Sequence, residues 1–185
     1  MVLFYVQRCK IYDQLAKDDE TVDWSHIIQY NAARPRAVVC LWLVYHRRLA
    51  TKSRLKRLGL LQEDVCSLCN EQEEDIDHLM LNCGVTKHVW PTILDWLEVK
   101  HKSGQWQVEK KWVVQNTKGK GYHSYMLKIA IAETVYGLWM YRNKCVFGTD
   151  ANEDATKIVP RIIDSIVYRG WLKVKYRKRI GLLMM

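Results

Sequence analysis

The sequence predicts a mainly α protein: a small CCHC-knuckle helical domain followed by a helical C-terminal extension. Three observations lead there. Apolar residues recur at spacings of three and four along most of the chain, and strand-like alternation is nearly absent. The stretch CSLCNEQEEDIDHLMLNC, residues 66–83, crowds three cysteines and a histidine into one short segment.

The totals bound the reading. At 185 residues the chain is one ordinary domain, or a small domain with an extension, and no internal repeat is visible. Hydrophobic content of 49% and eight tryptophans can build a real core, which argues against global disorder. A net charge of +9 favours polyanionic partners. No run approaches the ~18 apolar residues that span a bilayer, and the opening MVLFYV lacks the features of a signal peptide. An intracellular protein is expected, with a nuclear location open, so the cysteines are read as thiols or metal ligands rather than disulfides.

The elements follow in order. Residues 1–60 read as helical, with Val38, Leu41, Trp42, Tyr45 and Leu49 on one stripe. TKSRLKRLG is a short helix with Thr51 as its cap, apolar Leu55 and Leu58, and a stop at Gly59. A helical zinc-binding domain over 1–98 is expected to give way to a linker or irregular excursion over 99–121, which is polar and punctuated by glycine. A long helix runs from about Tyr122 to Phe147, with Leu127, Ile131, Val135, Leu138 and Trp139 on one side and Gly148 after it. The last segment carries Ile158, Ile162, Ile163, Ile166 and Val167; Pro160 fits there only in the first turn. The extension spans 122–185 and ends in a basic tail.

Cys66, Cys69, His78 and Cys83 are spaced C-x2-C-x8-H-x4-C. Two thiolates from one tight turn can each reach a shared zinc at about 2.3 Å, and a second piece of backbone must complete the tetrahedron. Asp75 or Asp77 caps a short helix whose buried stripe is Ile76, Leu79 and Met80, leaving His78 on the other side. On one straight α-helix His78 and Cys83 would lie about 140° apart, so the helix should break at Asn82–Gly84. The acids Glu71, Glu73, Glu74, Asp75 and Asp77 then read as a solvated cap at a helix start. Buried cysteines beside a core histidine, or a redox pair, are the alternatives, and His88 is a rival fourth ligand. Cys9, Cys40 and Cys145 sit in apolar helical contexts and read as core thiols. Four protein ligands leave no open position, so the zinc is expected to be structural.

These residues resemble the zinc-binding domain that follows the reverse transcriptase in plant non-LTR (LINE-type) retrotransposon polyproteins. The resemblance covers roughly residues 12–97, through Trp24, Pro35, Trp42, the RLxTKxRL segment from Arg48 to Leu55, Gly59, the CxxC, DHLMLNC and Val89-Trp90. The later AETVYGLWMYRNKCVFG, residues 132–148, is similar to the helix ending in W-x-x-RN-x-x-x-F that follows this domain in such polyproteins. Ala50 departs from the proline usual before Thr51, which implies a softer break between the two basic helices. There is no aspartate pair of a polymerase and no room for a ribonuclease H-like domain. The resemblance thus implies a transposon-derived fragment or stand-alone module, not a polymerase.

Residues 47–57, RRLATKSRLKR, carry six cations and no acid. Arg47, Arg48, Lys52, Arg54, Lys56 and Arg57 are read as a phosphate-contacting face, with a solvated face as the plain alternative. The tail KVKYRKR, residues 173–179, binds nucleic acid, serves import or does neither. Trp24, Trp42, Trp90, Trp96 and Trp139 read as core; Trp106 and Trp112 are the exposed candidates for base stacking. The leading expectation is a structural-zinc module that binds RNA or single-stranded DNA nonspecifically. The alternative is a protein-interaction or structural module with no nucleic-acid binding. No catalytic triad, phosphate loop or acidic metal pair suggests an enzyme.

Overall fold

The computed structural model describes residues 22–148 and 154–184. Its helices are α1 (Ser25–Ile28), α2 (Pro35–Tyr45), α3 (Lys52–Arg57), α4 (Val89–Trp96), α5 (Trp106–Asn116), α6 (Tyr122–Phe147), α7 (Ile158–Trp171) and α8 (Arg177–Leu182). A π-helical turn covers His78–Asn82, and single 3-10 turns precede α7 and α8. Among the described residues there is no strand; an isolated antiparallel bridge joins Val65 to Glu73.

Helix α6 is the axis. Its 26 residues extend about 39 Å, and α2 and α7 pack along it while α4 packs against α6 and α7. Sequence periodicity assigns it one apolar side, but Leu127 and Ile129 through Val135 are all buried. A helix buried all round belongs at the centre of its core. One hydrophobic cluster runs from Trp24 and Ile27 through Leu41, Leu79, Trp90 and Leu138 to Ile166 and Ile180. It therefore spans both the knuckle region and the C-terminal helices.

Local chemistry explains the helix ends. At the end of α2, Arg47 adopts φ +55, with Arg48 N–H on the Leu43 carbonyl (2.7 Å) and Arg47 N–H on Val44 (3.0 Å). That six-to-one and five-to-two pattern is a Schellman cap, and it makes a firm break before α3 without a proline at Ala50. Gly59 ends α3 the same way at φ +72, with Leu60 N–H on Leu55 and Gly59 N–H on Lys56. Thr51 occupies the N-cap of α3 but makes no side-chain cap bond. Pro160 lies in the first turn of α7, where its missing N–H costs nothing.

The segment 99–121 is not wholly irregular. Helix α5 occupies 106–116, with Trp106, Val113 and Val114 buried. Few apolar positions mark it, and it is held by docking rather than by its own pattern. Trp106 is only 3% exposed, so it is not an open stacking platform. Trp112 is half-buried and stacks on His101 at 3.9 Å. Trp24 and Trp90 are buried, while Trp42, Trp96 and Trp139 are half-buried at the edge of the core. Cys40 is a core thiol whose burial pushes its pKa up to about 12; Cys145 is half-buried, and Cys9 lies outside the described residues.

Candidate metal centre and basic face

The loop around the CxxC is shaped by backbone bonds. Cys66 N–H donates to the Gln72 carbonyl (2.7 Å), and Asn70 N–H donates back to the Cys66 carbonyl (3.0 Å). Asn70 takes φ +56, a left-handed turn that asparagine tolerates. The Leu68 N–H lies 3.4 Å from Cys66 Sγ, placing a donor on that sulfur.

The second pair arrives by a π-turn. Asp75 Oδ1 accepts from the His78 N–H at 2.7 Å and caps the turn. The Cys83 N–H then bonds the His78 carbonyl at 2.7 Å, a five-residue bond. Widening the turn brings Cys83 back over His78, and Cys83 itself is extended (φ −61, ψ 130). The chain thus turns at Asn82–Gly84 as the spacing demands, but by widening the last turn rather than by a left-handed Gly84.

The four side chains converge. Cys66 Sγ, Cys69 Sγ, His78 Nε2 and Cys83 Sγ all lie within 4.8 Å of one another. Cys66 and Cys83 sulfurs are 3.9 Å apart, and Cys69 Sγ is 3.3 Å from His78 Nε2. A tetrahedral zinc with bonds of about 2.0–2.3 Å separates its ligands by about 3.4–3.8 Å, so the set fits zinc. His78 Nδ1 donates to Gln72 Oε1 at 3.1 Å, which leaves Nε2 with its lone pair toward the sulfurs. A proton shared with Cys83, and then burial, push Cys66 up to about 12, while the same contact pulls Cys83 down to about 7. His88 occupies the N-cap position of α4 without a side-chain cap bond, is exposed and stands outside this cluster.

The acidic run is not uniformly solvated. Glu71 and Glu73 are exposed, but Glu74 is fully buried. Its Oε1 accepts from Arg142 Nη2 (2.7 Å), Arg142 Nε (3.0 Å) and the Lys52 N–H (3.1 Å). Its Oε2 accepts from the Ser67 N–H at 3.3 Å, and its carbonyl takes the Ser53 N–H. One carboxylate therefore caps α3, braces the CxxC loop and pairs with α6. Sequence reading missed it because nothing local separates Glu74 from Glu73. The available signal was Arg142, which directly follows the apolar run of residues 135–141.

The six cations of 47–57 divide into two groups. Arg47 pairs with Asp77 (2.7 Å), Lys56 with Asp64 (2.9 Å), and Lys52 Nζ donates to the Val65 carbonyl. Arg48 and Arg57 are exposed and make no ion pair among the described residues. Arg54 donates to the Arg47 carbonyl at a long 3.4 Å. Arg47, Arg54 and Arg57 line a cleft of about 500 Å³ that also holds Glu73 and Asp75.

Fold and site together define a mainly α-helical protein with a Cys3His zinc centre. Residues 7–90 match the family described as zinc-binding in reverse transcriptase, and that segment is similar to this domain. The matched part ends at Trp90, so most of α4 and all of α5–α8 lie beyond it. No curated protein and no solved structure matches the chain.

Proposed function

We propose that Cys66, Cys69, His78 and Cys83 hold a structural zinc in a nucleic-acid-binding module. The module derives from a reverse transcriptase polyprotein of the plant LINE-type retrotransposon class and has no polymerase or nuclease activity of its own. The convergence of four ligand atoms beside the cationic α2–α3 break carries this reading. Four protein ligands leave no coordination position for a substrate, so the metal is architectural. Through Glu74 the zinc loop fixes the start of α3, and with it the positions of Lys52, Arg54, Lys56 and Arg57. RNA or single-stranded DNA is bound through phosphates without sequence preference. The ion pairs of Arg47 and Lys56 are surface pairs and exchange readily for phosphate contacts. An intracellular setting, with nuclear entry open, suits such a partner; no helix among the described residues is long and apolar enough to cross a membrane.

The acids in the arginine cleft favour a second reading, a structural or protein-interaction module whose cations serve solubility. Titrating labelled RNA and single-stranded DNA at several salt concentrations separates the two. Phosphate binding gives a log–log slope of roughly −0.7 per contact, and Arg54→Ala/Arg57→Ala should flatten it by about one to one and a half. Zinc content should not change in that variant. A wild-type protein that retains no polynucleotide at low salt would move the assignment to the interaction module.

A further inference from the structure

The basic tail is not a free tail. Residues 174–182 fold as a 3-10 turn and α8, with Tyr176 and Ile180 buried and the Tyr176 hydroxyl on the Lys120 carbonyl at 3.2 Å. This brings Lys173 and Lys175 beside the start of α6. A cleft of about 450 Å³ opens there, lined by Lys120, Lys128, Lys173 and Lys175 together with Tyr30 and Tyr125. Among the described residues, no aspartate or glutamate lines it. In this it differs from the arginine cleft, whose acids offset part of its charge.

The lysines are held in place. Lys173 Nζ sits over the Tyr125 ring at 4.7 Å and the Tyr176 ring at 5.6 Å, and Lys175 Nζ over Tyr176 at 4.7 Å. The Lys128 carbonyl accepts from Asn31 Nδ2 at 2.8 Å, anchoring that turn of α6 to the segment carrying Tyr30. Lys128 makes no ion pair among the described residues, and burial, then the charge of Lys173, lower its pKa. Tyr30 is 93% exposed at the rim. An exposed aromatic beside convergent cations is the arrangement that takes an unpaired strand: phosphates on the ammonium groups, a base on the ring.

We propose that this lysine cleft is a second nucleic-acid contact, binding single-stranded RNA or DNA through phosphates on Lys120, Lys128, Lys173 and Lys175 with a base stacked on Tyr30. It shares its ligand class with the proposed function but does not depend on the 47–57 face. The test is fluorescence anisotropy of the full chain with a labelled oligothymidylate, an oligouridylate and a duplex, across salt concentrations. Lys173→Gln/Lys175→Gln and, independently, Lys120→Gln/Lys128→Gln should each flatten the single-strand slope by roughly 1.4, two contacts at 0.7. Tyr30→Ala, at a position too exposed to support the fold, should weaken single-strand binding at least about fivefold and leave the duplex unchanged. Thermal melts identify any lysine variant that fails to fold; the other pair and Tyr30→Ala then decide. Slopes unchanged in folded lysine variants, with Tyr30→Ala silent, would overturn the cleft. If the slope responds to the arginine pair alone, this site falls and the 47–57 face stands; if it responds to the lysines alone, the reverse holds. Binding only to phosphatidylserine vesicles, with none to any oligonucleotide, would sink both.

Discussion

Glu74 and Arg142 stand 68 residues apart in the chain and form an ion pair with side chains 0% and 4% exposed. The pair joins the loop that carries the CxxC to the central helix. A buried pair adds little over a well-packed apolar substitute, but removing one partner strands the other charge, at a cost of about 3–5 kcal/mol. Glu74 would strand the Lys52 and Ser67 N–H groups as well. Glu74→Ala and Arg142→Met should each destabilise by about 3–5 kcal/mol in urea unfolding, and the double variant by clearly less than the sum. Additive losses would mean the two residues act independently.

Zinc removal should loosen residues 60–90 while α6 and α7 keep most of their order. Zinc binding to a site that is not preformed is folding free energy, on the order of 10 kcal/mol in small zinc modules. Cys69→Ser and Cys83→Ser should lose stoichiometric zinc and amide protection around His78, whereas His88→Ala should keep both. Gln72→Ala frees the second imidazole nitrogen and should weaken zinc about tenfold or more. If chelated protein keeps full protection over 60–90, the metal is not architectural.

What could be read from sequence was local. The four-residue cluster shows because its spacings lie within one short segment. The ends of α6 show because apolar periodicity starts after Gly121 and stops at Gly148; Pro160 and Gly59 mark boundaries through their own backbone limits. What stayed hidden was tertiary. Glu74 looks like any other member of an acidic run until Arg142 is placed beside it. The KVKYRKR segment looks like a solvated charge run, yet Tyr176 packs on Tyr122 and Tyr125 of α6 and the adjoining Ile180 is buried beside Gly170 of α7. The all-round burial of α6 over residues 129–135 depends on what packs there, and single-sequence periodicity reports a face, not a neighbour.

Helix α5 gives a direct test of that distinction. Trp106 is buried against Tyr45, ring centroids 5.9 Å apart, while Trp112 lies half-buried on His101. Trp106→Ala should cost about 3–5 kcal/mol, the range for truncating a buried large aromatic, and Trp112→Ala clearly less. The buried Glu109 carboxylate meets His101 at the same helix, so Glu109→Ala should also destabilise. Chemical denaturation of the three variants settles the matter: equal, near-zero effects would return 99–121 to an undocked linker.

Gly137 lies where α6 meets α7, and a Cβ there would sit 2.6 Å from Ile162 Cγ1 and 2.9 Å from its Cδ1. Two opposing effects then decide Gly137→Ala. Alanine gains about 1 kcal/mol of helix propensity over glycine in a helix interior. Overpacking a filled core costs about 1–3 kcal/mol, and here the nearer clash is with Cγ1, which cannot move without a rotamer change. With contacts this short the clash should win, for a net loss of up to about 2 kcal/mol. Ile162→Ala removes both offending carbons at its own cavity cost of about 2–5 kcal/mol. In that background the sign should reverse, with Gly137→Ala stabilising by up to about 1 kcal/mol because only the propensity gain remains. The same substitution measured by urea unfolding in the two backgrounds tests the close approach of α6 and α7; a Gly137→Ala that stabilises the otherwise unchanged protein would show that the two helices are further apart at this point.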